Sequence, residues 1–221
     1  MGLRDRLRRS RASSRLLLEA ERLIEAGERA QAEAAPPAQV RQSAEAARLA
    51  LLEAREAGYD DGAHLHLRLA QSLFLLGRPH EALAPAYDAA KARPYDVESR
   101  VTHGRVRLAL GDAAQAMHEF ESVLEEFGGD PEANAGLRAA HLALGELPLD
   151  PADEVEIGAD REAGAEFLIS AWEQAGAVAE HLAALRQGTA DPGLLTLLER
   201  IVDRRDRSRQ IASETETEAR G

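Results

Sequence analysis

The stretch LFLLGRPHEAL, residues 73–83, is followed by VRLALGDAAQAM at 106–117 and by HLALGELPLD at 141–150. Each carries a Leu-Gly step, at Leu76-Gly77, Leu110-Gly111 and Leu144-Gly145, so the glycines recur every 34 residues, twice in succession. Upstream of the first, Leu65, Leu69, Leu73 and Leu76 are spaced four, four and three apart, the period of one helical face. Gly77 can adopt the left-handed conformation that closes a helix, and Pro79 suits the first turn of the next. The spacing predicts a helical hairpin that turns at Gly77 and ends at Arg93-Pro94. Ala82, Ala86 and Ala89 are small enough for its two helices to approach closely, and Pro85 is expected in the first turns of the second helix. That single stretch decides the fold class: all-α, built from stacked hairpins.

Working outward, Val101, Gly104, Leu108 and Leu110 precede Gly111, and Ala116, Phe120 and Val123 line a returning helix. A third copy starts at Pro131, a good first helical residue after Asp130, and runs through Leu137, His141 and Leu144 to Gly145. At these residues the chain resembles the tetratricopeptide repeat (TPR) family, clearest over 63–145. Set against that family's pattern, a repeat starting at Ala63 supplies Leu69, Ala70, Leu73, Gly77, Ala82, Ala89 and Pro94, with His66 and Ala86 departing from it. A start at Val97 matches less well but keeps Gly104, Gly111, Ala116 and Phe120. An earlier, degenerate copy is suggested by Gly27 and Ala32, five apart as Gly77 and Ala82 are, with a longer loop that holds AAPPAQ (34–39) and a second helix restarting near Val40 and ending before Gly58. The resemblance implies a right-handed helical-hairpin solenoid, in which each hairpin buries its apolar face against its neighbours.

The domain reading follows. Residues 1–12 form an Arg-rich leader, 13–62 N-terminal helices, 63–145 the TPR-like repeats, 146–161 an acidic loop, 162–209 a C-terminal helical cap and 210–221 a disordered tail. Within the cap, Asp191-Pro192 is a helix-opening pair, and Trp172 is expected to anchor the packing.

Composition narrows the function. Hydrophobic residues make up 44% of the 221 residues but aromatics only 4%, which favours closely packed Ala- and Leu-rich helices over strands. Cysteine is absent, so disulfides, thiolate catalysis and Cys-ligated metals are excluded. Lys91 is the one lysine among 27 basic residues, a bacterial-type bias of a GC-rich genome. Leu16-Leu17-Leu18 is too short for a signal-peptide core, and a cytoplasmic protein is expected. Net charge is −12, yet residues 1–15 hold six arginines against one aspartate, which leaves about −17 on the rest. An acidic body of this kind repels nucleic acid, so none is expected as a partner.

Chemical motifs are missing from the sequence. It contains no Gly-rich phosphate loop, GxSxG elbow, HExxH or GxGxxG. His64 and His66 fall on different helical faces, whereas His103 and His141 both lie in the first helices of consecutive repeats and could come near each other. No catalytic residue, metal or cofactor is expected.

What the resemblance implies is an interaction scaffold whose concave face, lined by the first helix of each repeat, holds a partner peptide or amphipathic helix. Those positions are His64, Leu67, Gln71, Phe74 and Leu75; then Glu98, Val101, Arg105, Leu108 and Ala109; then Glu132, Ala135, Ala139, Leu142 and Ala143. Arg105 is the central cation over an apolar floor, with Glu98 and Glu132 at its edge. The basic clamp by which some family members grip chaperone tails is replaced here by Leu67, Gln71, Thr102, Glu132 and Gly136. The leucines of the floor would instead be covered if the chain's own N-terminal helices lie across them. Two further readings stand beside the scaffold. Arg4, Arg6, Arg8, Arg9, Arg11 and Arg15, with Leu3 and Leu7, form a basic segment that could dock a surface-associated assembly factor on an anionic membrane or an acidic partner, with weak membrane contact on its own. The Ala-rich faces of 38–57 or the cap helices could pair between copies as a homo-oligomer.

Overall fold

The computed structural model describes residues 3–33, 35–144, 154–188 and 192–219, and among these every regular element is an α-helix. The chain divides into two compact units, one comprising residues 1–94 with 208–221 and the other residues 95–207.

The first unit holds α1 (Leu3–Ala32), α2 (Pro37–Glu56), α3 (Gly62–Leu75) and α4 (Pro79–Ala92). Helices α1 and α2 form one hairpin and α3 and α4 the next, with α3 seated on both members of the first. Leu17, Ala20 and Ile24 of α1 interlock with Val40, Ala44, Ala47 and Leu51 of α2 and with Leu75 of α3 in one buried cluster. Alanine is what permits this closeness: Ala20, Ala44 and Ala47 are fully buried, and none has a side chain long enough to hold the helices apart. Pro85 is the seventh residue of α4, within its first two turns, and the helix continues past it to Ala92.

The second unit holds α5 (Val97–Ala109), α6 (Ala113–Phe127), α7 (Pro131–Leu144), α8 (Glu154–Ala175), α9 (Val178–Gly188) and α10 (Pro192–Ala219), whose last residues from Ser208 group with the first unit. Here α5 and α6 form a hairpin and α7 rests on both of them.

Local chemistry repeats with the hairpins. Asp61 Oδ1 accepts the His64 amide at 3.0 Å, Asp96 Oδ2 the Ser99 amide at 3.1 Å, and Asp130 Oδ1 the Ala133 amide at 2.8 Å. Each aspartate satisfies an otherwise orphaned donor at the start of α3, α5 or α7. The turns that follow α3 and α5 place Gly77 at φ 73° and Gly111 at φ 82°, where a Cβ is strained. Gly145, the third glycine of the series, lies outside the described residues.

Three expectations fail. Gly27 does not close a helix as Gly77 does: α1 runs through it to Ala32, although the chain does reverse at Pro36-Pro37, inside the loop expected at 34–39. The reason is contact, since a Cβ on Gly27 would lie 3.2 Å from Leu75 Cδ1. Of the acidic loop expected at 146–161, residues 146–153 lie outside the described residues, and α8 already begins at Glu154. Acidic residues opening a helix are favoured by its dipole, and the alanines that follow propagate it. The tail expected to be disordered from 210 is helical to Ala219, supported by bonds one turn apart from Gln210 Nε2 to Glu214 Oε1 (3.0 Å) and from Thr215 Oγ1 to the Ile211 carbonyl (2.9 Å). No helix among the described residues is long and apolar enough to cross a membrane.

Candidate functional site

The residues expected to line a groove fall in both units, and each group is described within its own. In the first, Leu67, Phe74 and Leu75 are buried, at 2%, 5% and 4% exposure. Leu75 belongs to the cluster formed with α1 and α2, so part of the expected floor is covered by the chain's own N-terminal helix. The polar positions beside it are also engaged by neighbours. His64 Nε2 lies 2.8 Å from Glu21 Oε1 of α1, Arg68 donates to both His64 (3.2 Å) and Glu21 (3.3 Å), and Arg68 Nη1 donates to Gln71 Oε1 at 2.9 Å.

In the second unit Val101, Leu108, Ala139 and Leu142 are buried, while Glu98 and Glu132 are exposed at the starts of α5 and α7. Helix α8 covers the floor by packing on α7 and α5. A Cβ built on Gly164 of α8 would come within 2.7 Å of Arg138 Cβ and 3.3 Å of the Ala139 amide nitrogen, so the two backbones nearly touch. The Arg105 guanidinium, expected at the centre of the groove, lies 5.4 Å from the centroid of the Phe167 ring on α8. Its occupant is therefore a helix of the chain itself.

A second ring explains how α8 is registered. Phe120 of α6 is fully buried, and a Cβ on Gly104 or Gly136 would sit 2.7 Å or 2.5 Å from its ring. The two glycines thus form a slot between α5 and α7 through which Phe120 reaches Phe167, meeting it edge-on with centroids 5.9 Å apart. The outer side of α8 is bound by charge. Arg205 donates to Glu166 Oε2 (3.0 Å) and Glu173 Oε2 (2.8 Å), and Arg204 to Glu162 Oε1 (3.1 Å). Trp172, 2% exposed, stacks on His181 of α9 with centroids 4.8 Å apart, and burial lowers the His181 pKa.

His103, 2% exposed, is bracketed by Glu119 Oε1 at 3.1 Å from Nδ1 and by Arg107, whose Nε donates to Nε2 at 3.1 Å. Since Arg can only donate, Nε2 is the acceptor and Nδ1 carries the proton toward Glu119. That bond holds the Glu119 carboxyl below the usual carboxylate range. His141 Nδ1 is buried without a hydrogen-bond partner among the described residues. No group of three or more metal-ligating side chains gathers among the described residues. Of the basic segment, Arg11 and Arg15 are exposed on α1, and Arg4, Arg6, Arg8 and Arg9 belong to the first turns of the same helix.

Sequence reasoning did not find Phe167 as a partner of Arg105, nor Glu21 as a partner of His64. Neither pair has a local signal, since 62 and 43 residues separate their members. No protein-family model matches the chain, and no curated protein or solved structure matches it.

Proposed function

We propose that this chain is a non-catalytic protein-interaction scaffold whose α5/α7 face receives an amphipathic helix of a partner, with α8 as the resident occupant that the partner displaces. The observation that carries the reading is the contact of Arg105 with Phe167: the central cation of that face already grips an apolar helical residue. Helix-in-groove recognition needs an apolar floor, backbones able to approach closely and a polar group to fix register. Leu108 with Leu142, Gly164 against Ala139, and Arg105 supply these in turn. A resident helix lowers a partner's apparent affinity by the fraction of time the face is covered, so loosening α8 raises it.

The test is affinity capture from host lysate with cross-linking to α5 and α7, using wild type, Phe167→Ser and Arg105→Glu, each first shown to keep its helicity. A partner cross-linked to α5 or α7, enriched by Phe167→Ser and lost with Arg105→Glu, supports the reading. An identical set of captured proteins from all three variants refutes it.

A further inference from the structure

Along α1, Arg8, Arg15, Arg22 and Arg29 recur every seven residues, and Arg4 and Arg11 precede the first two of them by four. Seven residues fall about 20° short of two full helical turns, so all six arginine positions lie within a sector of about 60° along one side of the helix. From Arg4 to Arg29 that ridge is about 38 Å long. Arg11, Arg15, Arg22 and Arg29 are exposed, and none of the four is within ion-pairing distance of a carboxylate among the described residues. Helix α1 has 30 residues where its hairpin partner α2 has 20, so about 15 Å of its Arg-rich end runs on beyond α2.

At its N-terminal end the arrangement opposes helix stability. Arg4 with Arg8 and Arg11 with Arg15 are like charges one turn apart, and cations in the first turns face the positive end of the helix dipole. Local rules are broken in this way where a surface serves a partner.

We propose that the arginine ridge of α1 is a docking surface for an acidic α-helix of another protein, packed alongside α1 with carboxylates at seven-residue intervals. A helix partner is favoured over a membrane by what the ridge lacks: the apolar face of α1 (Leu17, Ala20, Ile24) is buried in the fold and Leu18 is the exposed large apolar side chain among its described ones, too little to anchor in a bilayer, whereas a helix lying alongside another meets it about once every seven residues. Arginine, rather than lysine, suits paired hydrogen bonds to carboxylates. The chain already contains such a pairing, in which Glu166 and Glu173 of α8, seven apart, both bind Arg205 of α10. Leu18, 53% exposed at the edge of the ridge, gives the partner helix one apolar contact. The ridge belongs to the first unit, and its role does not rest on that of the α5/α7 face.

The experiment uses the full chain and two labelled helical peptides of identical composition, about four heptads long. One carries glutamates at seven-residue intervals on a single face, and the other has them dispersed around the helix. Wild type is expected to bind the ordered peptide at least about tenfold more tightly than the dispersed one, with affinity falling as salt rises. The quadruple variant Arg8→Gln, Arg15→Gln, Arg22→Gln, Arg29→Gln, which keeps good helix formers, should lose that preference while melting no lower than wild type. Equal binding of the two peptides overturns the proposal. So does an ordered-peptide preference that survives in the quadruple variant, or binding to phosphatidylserine vesicles but to neither peptide.

Discussion

The guanidinium of Arg105 lies 5.4 Å from the ring centroid of Phe167, so the cation at the centre of the α5/α7 face is covered by an aromatic residue of α8. Such a contact has an energy separable from simple packing. In a double-mutant cycle of Arg105→Gln and Phe167→Leu, urea unfolding should give a coupling of about 0.5–1 kcal/mol, typical of a cation over an aromatic face that is not fully desolvated. A coupling of zero would mean that the two side chains are merely neighbours.

The slot formed by Gly104 and Gly136 makes a sharper prediction. Alanine normally stabilises a helix relative to glycine by about 1 kcal/mol. At Gly136 a methyl group would lie 2.5 Å from the Phe120 ring, so Gly136→Ala should instead destabilise by about 1–3 kcal/mol through overpacking. In a Phe120→Leu background the same substitution should cost less or turn favourable, which thermal melts of the four proteins would reveal.

Stability should fall on mild acidification. Burial lowers the His181 pKa in the folded chain, so below the ordinary imidazole value of about 6.5 the unfolded chain takes up the proton first. Stability associated with His181 is therefore complete above that value and is lost as pH falls through the folded pKa. Glu119, held below the usual carboxylate range mainly by its bond to His103, adds a second loss at lower pH with the same sign. His181→Phe, which keeps a ring against Trp172 but cannot ionise, should flatten the melting temperature between pH 7 and about 5.5. An unchanged slope would exclude His181 as the source.

Each helix-starting aspartate should matter on its own. Asp96→Ala leaves the Ser99 amide without its acceptor at the head of α5 and should cost about 1 kcal/mol. Asp96→Asn, which retains a capping oxygen, should recover most of it in denaturant titrations.

What was legible in the sequence is what short-range chemistry writes. The leucine stripe at 65–76, the proline starts at Pro79 and Pro131, and the positive-φ turns at Gly77 and Gly111 are decided by residues within a turn or two of one another. Gly27 was aligned with the turn glycine Gly77, because the residue it leaves room for, Leu75, lies 48 residues away. The expected groove shows the same limit. The resemblance assigned Leu67 and Phe74 of α3, Leu108 of α5 and Leu142 of α7 to a groove floor, but a repeat pattern does not distinguish a face awaiting a partner from one covered by the chain itself. Burial makes that distinction: Leu67 is 2% exposed, so Leu67→Glu would place a carboxylate in the interior and unfold the first unit instead of reporting on binding.

The ring of Phe120 is shared by three helices besides its own, wedged between α5 and α7 and abutting Phe167 of α8. An opening that frees α8 exposes the edge of that ring, and one that frees α7 removes a wall of its slot. These helices should therefore open together as one cooperative element, and their slowest amide protons should exchange with deuterium at a common free energy. Replacing Phe120 with alanine would uncouple them, and α8 would then exchange faster than α5.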